Sequence, residues 1–304
     1  NMDPMIEYLN QLEKDIQGLS SESERLEATV RLEEAMRVYD GEDKLISSQE
    51  IADRIKTSPE EVCHMTGIAG LDAILKGFRK QQLIVLAAPT KSGKTSFCVE
   101  LTSRMKETNP VWLPFEESAE ELIRKFLERG ETPPLFYTPQ SMTGNTTEWI
   151  EKKVVEGKVK YNAQLFFIDH LHFIVPFSSD RLDTRIGQVM RSLKGIAKSH
   201  NVTIVLVAHL KKTNMVITPT LEDLRDSSFI AQEADTVMML WRKSGKNEDG
   251  EMVISNKTIL SVQANRRTGS TGNVRLVFND GKFTEEEWKH ADVNNEIHGS
   301  GEVW

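Results

Sequence analysis

Residues 83–95 read LIVLAAPTKSGKT, an apolar run that passes directly into a loop of small and polar residues ending in Gly93-Lys94-Thr95. The octet Ala88-Pro89-Thr90-Lys91-Ser92-Gly93-Lys94-Thr95 fits the pattern G-x-x-x-x-G-K-[ST] at every position except the first. Each part of such a loop has a task. Its backbone N–H groups wrap phosphate oxygens, and the positive end of the following helix faces them. Lys94 would reach the outer phosphates, the Thr95 hydroxyl would coordinate Mg²⁺, and Ser96 extends the set into the first helical turn. A bare G-K-T would carry little weight. Here both flanks agree: Leu83, Ile84, Val85 and Leu86 make a buried strand, while Phe97, Leu101 and Met105 recur at helical spacing. The stretch predicts a nucleoside-triphosphate site on an α/β fold.

Composition bounds the rest. At 304 residues and 38% apolar content, the chain can bury one large core and carry a small appendage. The two cysteines, Cys63 and Cys98, lie far apart without a C-x-x-C, which argues against a zinc ribbon or disulfide scaffold and suits a reducing cytosol. No charged-then-apolar leader opens the sequence, and no apolar run approaches the roughly 18 residues that span a bilayer. The expectation is a cytoplasmic protein without a membrane partner. A formal charge of −8 argues against a uniformly basic nucleic-acid surface. Contact with DNA or RNA must then come from local loops, concentrated by the assembly of several copies.

Residues 1–45 read as a helical appendage, with Ile6, Leu9, Leu12 and Ile16 in one stripe and Leu26, Val30, Leu32 and Met36 beyond a break at 18–21. Residues 46–65 begin like a DNA-binding helix-turn-helix. A second helix would be cut short by Thr66-Gly67 and no third follows, so a capped linker helix is preferred. From 66 to 284, apolar runs at 83–88, 111–115, 135–138, 164–169, 202–208, 236–241 and 258–264 alternate with amphipathic helices such as 185–199. That alternation predicts a mainly parallel sheet covered on both faces, with ligands at the carboxyl ends of its strands. A hairpin region is expected within 258–283, and a frayed acidic tail over 285–304.

Several strand ends carry polar residues where this fold would set them beside a phosphate. Asp169 ends the run Leu165–Ile168 and suits a group that holds the Mg²⁺ water shell. Glu116, after the run 111–115, is either a base for the attacking water or one of the acids, with Glu117, Glu120 and Glu121, of a solvated helix start. His209 closes the run 202–208 and could read the γ-phosphate, although lone strand-end histidines are commonly structural. Arg266 and Arg267 sit in a loop before Thr268-Gly269, where a neighbouring subunit could present one of them to that phosphate.

These blocks, in this order, resemble the ATPase domain of ring-shaped replicative helicases: the DnaB family, the bacteriophage primase-helicases and the mitochondrial helicase Twinkle. The resemblance covers roughly residues 66–283. It includes TGIAGLD at 66–72, FEESAEEL at 115–122, IDHL at 168–171, LKGIAKSHNVTIVLVAHLKK at 193–212 and LEDLRDSSFIAQEADTVMML at 221–240. It implies a RecA-like core, ATP and Mg²⁺ as cofactors, Glu116 as catalytic base and His209 as phosphate sensor. It also implies six-membered rings with ATP between subunits and single-stranded DNA through the centre. Ala88 in place of the first glycine also occurs in DnaB proteins.

Two departures stand out. The family commonly reads K-x-R where this chain reads Ala264-Asn265-Arg266, and the chain has neither a DnaB-sized amino-terminal domain nor a primase module. Arg266 is preferred as the trans-acting arginine with Arg267 second; primer synthesis is not expected, and the resemblance implies a primase or loader as a partner. The DNA-facing candidates are Arg181 and Arg185 after the acidic strand, Lys211 and Lys212 in the loop to Thr220, and Arg225. Two rivals remain: a RecA- or RadA-like recombination or repair ATPase, and a non-motor ATP-switch partner protein.

Overall fold

The computed structural model describes residues 4–37, 45–57, 63–90, 92–179, 181–210, 219–224, 227–246 and 252–287. The chain divides into two units, Asn1–Glu60 and Glu61–Trp304. In the first, α1 (Pro4–Gly18) and α2 (Glu22–Arg37) pack on each other, and α3 (Ser48–Thr57) follows. A reciprocal pair starts α3: the Glu50 N–H donates to Ser47 Oγ, and the Ser47 N–H donates to Glu50 Oε2. No residue of this unit with a described side chain is buried, and Ile51 and Ile55 stay exposed on α3.

The second unit opens with a two-stranded antiparallel ribbon, β1 (Cys63–His64) with β2 (Phe78–Arg79), around the short helix α4 (Ala69–Leu75). The TGIAGLD block has a local reason here. The buried Asp72 carboxylate accepts from the Thr66 N–H, the Thr66 hydroxyl and the Gly67 N–H at 2.8, 2.8 and 3.0 Å. The block is thus a hydrogen-bonded corner that ties the ribbon to α4.

Then come β3 (Leu83–Ala88), α5 (Lys94–Arg104), β4 (Val111–Pro114), α6 (Ala119–Glu128), α7 (Thr147–Tyr161), β5 (Leu165–Asp169), α8 (Leu182–Ser199), β6 (Thr203–His209), α9 (Ser227–Glu233), β7 (Thr236–Lys246), β8 (Met252–Asn265), β9 (Gly272–Asn279) and β10 (Lys282–Glu285). The sheet order is β10-β9-β8-β7-β3-β6-β5-β4. The five strands from β7 to β4 run parallel, and β8, β9 and β10 fold back as an antiparallel extension.

The pleat of β3 divides the core into two layers. Leu83, Val85 and Ala87 face a cluster with Ile150 and Val154 of α7 and Ile186, Val189 and Leu193 of α8. Ile84, Leu86 and Ala88 face the other, with Phe97 and Leu101 of α5 and Leu122 and Phe126 of α6. A strand buried on both faces must read as a continuous apolar run, as β3 does. Each buried Leu, Ile or Val of the strand contributes about 1.5–3 kcal/mol through burial.

One expected strand is absent. Residues 135–138 form a loop, and only Tyr137 bridges to Val111. Tyr137 exchanges both of its backbone hydrogen bonds there, donating to the Pro110 carbonyl and accepting from the Trp112 N–H. Pro133, Pro134 and Pro139 flank the segment without N–H donors, so the pairing extends no further, and the Tyr137 ring stacks on Tyr161 at 3.9 Å between centroids. Among the described residues, no helix is long and apolar enough to cross a membrane.

Candidate active site

The parallel register brings four strand ends to one rim. Ala88 of β3 pairs with His209 of β6, and Pro114 of β4 pairs with Asp169 of β5. The chain leaving β4 is pinned there, because the Phe115 and Glu116 N–H groups both donate to the Asp169 carbonyl, at 2.7 and 3.1 Å. Past β3 the backbone turns through Gly93 at φ 91°, ψ 24°, directly before α5. A Cβ at Gly93 would lie 3.3 Å from the Phe283 ring, in a backbone conformation that L side chains rarely adopt.

Within this turn the buried Lys94 ammonium donates to the carbonyls of Ala88 and Pro89, at 3.3 and 3.1 Å, and lies 3.1 Å from His209 Nδ1. Burial holds its pKa below the usual lysine range, while the Asp169 and Glu116 charges oppose that shift. Thr95 donates its hydroxyl proton to Asp169 Oδ2 at 2.7 Å. Asp169 is fully buried, and burial pushes its carboxyl up to about 6; the Thr95 hydrogen bond opposes the shift and the Glu116 charge adds to it. Its second oxygen, Oδ1, is buried without a hydrogen-bond partner. A buried carboxylate with one spare oxygen beside a threonine hydroxyl is a hard, all-oxygen donor set, and it fits Mg²⁺.

Glu116 reaches outward, with Oε2 3.1 Å from His170 Nδ1 and 4.0 Å from His209 Nε2. The His170 and His209 rings meet edge to face at 4.2 Å. Burial drives the His170 pKa down to about 3, helped by His209, His172 and Lys94, so this imidazole is neutral. The Asp169–His170 peptide bond is cis. Glu117 is half-buried and turns away to Lys125 of α6 at 3.0 Å. A cleft of about 510 Å³ opens over the group, lined by Thr90, Gly93, Lys94, Thr95, Ser96, Glu116, Glu117, Lys125, His209, Arg242 and Phe278.

The structure therefore gathers Ala88, Pro89, Thr90, Ser92, Gly93, Lys94, Thr95, Ser96, Glu116, Asp169 and His209 at one rim. It does not bring Arg266 and Arg267 to them. Asn265 pairs with Thr236, and Thr236 with Ile84, so the turn at 266–268 lies at the amino ends of the parallel strands. That is about 13 Å or more back along β3. Arg267 donates to the Leu75 carbonyl at 3.3 Å, whereas Arg266 is exposed. Arg181 starts α8, exposed and paired with Asp183, and Arg185 donates to the Pro176 carbonyl. Lys91, Lys211, Lys212 and Arg225 lie outside the described residues.

Three groups escaped the sequence reading. His170 follows the predicted Asp169 directly and could have been found from that position. Arg242 directly follows the expected run 236–241 and could have been found in the same way, whereas Phe278 could not, because it reaches the cleft from β9 of the antiparallel extension. There the Arg242 guanidinium donates to the Ser255 carbonyl and lies 4.8 Å over the Phe278 ring.

The chain matches the DnaB-like helicase C terminal domain family over residues 64–132 and 134–285. It is 28% identical over 263 residues to a probable replicative DNA helicase of Trieres chinensis, covering 72% of this chain and 56% of that protein. The solved structure of a DnaB-like replicative helicase, studied with its interactions with primase, aligns at TM-score 0.66 and 19% identity, over 93% of this chain and 77% of that one. A solved ATPase domain aligns at TM-score 0.67 and 19% identity, over 80% of this chain and 100% of its own length. The chain spans about half the length of the curated relatives it matches. The fold is the mainly parallel, RecA-like sheet of those ATPase domains.

Proposed function

The chain belongs to the DnaB-like helicase C terminal domain family, and from that premise we propose that it hydrolyses Mg²⁺–ATP between copies of itself to move along single-stranded DNA. The observation that carries this reading is the division of the site between the two rims of one sheet. Lys94, Glu116, Asp169 and His209 stand at the carboxyl rim, and Arg266 stands exposed at the amino rim. Neither Arg266 nor Arg267 can span that separation within one chain, so either of them would reach a γ-phosphate only from a second copy. Arg266 suits this role better than Arg267, whose guanidinium is held by the Leu75 carbonyl of its own chain.

In this reading Lys94 leaves the Ala88 and Pro89 carbonyls for the phosphates, and backbone N–H groups of 89–95 surround them. Thr95 and Asp169 would hold Mg²⁺, which would supply neutralisation of phosphate charge when bound. Glu116 accepts the proton of the attacking water. His209 joins that position to Lys94 and so to the γ-phosphate. Arg242 and Phe278 offer flat surfaces beside the cleft for the base. The loops that follow β5 and β6, with Arg181, Arg185, Lys211, Lys212 and Arg225, would line the DNA path and bind its backbone without sequence preference. A six-membered ring, a cytoplasmic location and a primase or loader as partner complete the proposal. The primase follows the solved helicase that interacts with one. Family membership favours this motor over a recombination filament or an ATP switch.

The test is a mixing experiment read as ATPase activity with and without single-stranded DNA. Glu116→Gln and Arg266→Ala proteins should each be inactive alone. Mixed, they should recover turnover, because some interfaces pair an intact Glu116 with a neighbour's intact Arg266. Full activity of Arg266→Ala and Arg267→Ala proteins would mean a site complete within one chain, and the proposal would fail.

A further inference from the structure

Glu116, His170 and His209 come from the ends of three adjacent strands, β4, β5 and β6, and their donor atoms all lie within 4.8 Å of one another. We propose that these three side chains form a second metal site, selective for a borderline transition-metal dication of the Zn²⁺ class, whose occupancy switches turnover off. The donor set decides the metal. Two imidazoles and one carboxylate, with a fourth position open, suit Zn²⁺, whereas Mg²⁺ takes oxygen ligands and keeps its waters. The Mg²⁺ site at Thr95 and Asp169 is all oxygen, so the two sites sort their ions by donor chemistry.

The dimensions agree. A tetrahedral ion with bonds of about 2.0–2.1 Å sets its ligand atoms about 3.3 Å apart. Glu116 Oε2 stands 3.1 Å from His170 Nδ1 and 4.0 Å from His209 Nε2, and the two histidine ligand atoms lie within 4.8 Å of each other, so side-chain movements of at most about 1.5 Å close the set. His170 is buried against the Phe173, His172 and His209 rings, which fixes one ligand, while the half-exposed Glu116 opens the fourth position to the cleft.

Binding carries a local consequence. The Lys94 ammonium only donates, so His209 Nδ1 accepts from it. A metal on Nε2 calls for the other tautomer, with its proton on Nδ1, and Lys94 must turn away. The ion thereby removes the Glu116 carboxylate from proton transfer and uncouples His209 from Lys94 at once. The effect on turnover rests on the function proposed above; the binding does not.

Co²⁺ and Zn²⁺ test it on the full chain without nucleotide. One Co²⁺ per chain should bind with the visible absorption of a low-coordinate ion, and Zn²⁺ should displace it. His170→Gln should weaken Co²⁺ at least about tenfold, with His209→Gln as a second probe and a thermal melt to check folding. Cys63→Ser should bind as wild type does, which separates the site from thiol capture. Zn²⁺ added at saturating Mg²⁺ should then inhibit wild-type ATPase at concentrations well below those that inhibit His170→Gln. Absent Co²⁺ absorption, or equal binding by wild type and both histidine variants, overturns the site. Equal Zn²⁺ inhibition of wild type and His170→Gln overturns the switch. Stoichiometric, His170-dependent Co²⁺ binding by a protein without ATPase activity leaves the site standing and refutes the function instead.

Discussion

The two rims of the central sheet treat their charges in opposite ways. At the amino rim, Asp235 accepts the Leu83 N–H at 2.7 Å and pairs with Lys194 of α8, so the start of β3 is capped and its charges are matched. At the carboxyl rim, Asp169 keeps a buried oxygen without a partner, and burial shifts Lys94 and Asp169 away from their ordinary pKa values. Both rims are made by the same strands. Their difference marks one as the end that secures the fold and the other as the end that holds charge in reserve for a ligand. Substitutions at the two rims should therefore diverge in sign as well as size.

The largest effect expected is on turnover from Arg266→Ala, a loss of about 10³–10⁵-fold in steady-state ATPase with ATP binding retained. The same change at Arg267 should leave turnover within a few-fold. A reversed result moves the trans-acting arginine by one residue. Next comes Glu116→Gln, which should slow hydrolysis by about 10²–10⁴-fold while ATP affinity stays close to wild type. A Glu117→Gln protein should turn over near the wild-type rate, since Glu117 is engaged with Lys125. If Glu117→Gln carries the loss instead, the base is misassigned.

The sharpest test of the comparison lies in stability. The Asp169 carboxyl binds its proton more readily folded, at about 6, than at its ordinary 3.8. Between those values the native state holds more protons, so stability falls as pH rises from about 4 to about 6, and the full penalty applies above that. Asp169→Asn should abolish hydrolysis yet stabilise the nucleotide-free protein by up to about 3 kcal/mol at pH 7–8, with the gain vanishing near pH 4. Denaturant melts at the two pH values check it; an Asn variant less stable at both would show that the rims do not differ as described. Smaller and opposite in sign, Asp235→Ala should cost about 1–3 kcal/mol, because it strands the Leu83 N–H, while turnover per folded molecule survives. Equal turnover losses at Asp235 and Asp169 would erase the distinction.

What the sequence disclosed follows the same division. The parallel strands were legible because burial on both faces forces continuous apolar runs such as LIVLAA and LFFID. The carboxyl-rim residues were legible because Asp169 and His209 end such runs, and Lys94 and Thr95 close the Gly-Lys-Thr loop that follows one. The run at 135–138 misled, since apolar content does not show that the flanking Pro133, Pro134 and Pro139 confine its pairing to a single bridge at Tyr137. Arg242 directly follows the run 236–241 and was open to the same reading, whereas Phe278 stayed hidden because its approach to the cleft depends on the pairing of β7, β8 and β9, including two register shifts between β7 and β8. Asp72 is visible in the sequence only as a letter of TGIAGLD; its work as acceptor for Thr66 and Gly67 is a matter of geometry alone.

The position of Arg266 at one end of the strands and Lys94 at the other has an arithmetic consequence. Copies that meet amino rim to carboxyl rim join head to tail, so the contact uses two different surfaces and does not close on a pair. If, as proposed, each site needs a neighbour's Arg266, an open row of n copies contains n − 1 finished sites and one idle site at its end, and only a closed circle finishes all n. Activity per chain should climb with assembly size as (n − 1)/n and step to its full value at closure. A titration of rate against concentration would thus count the free ends directly.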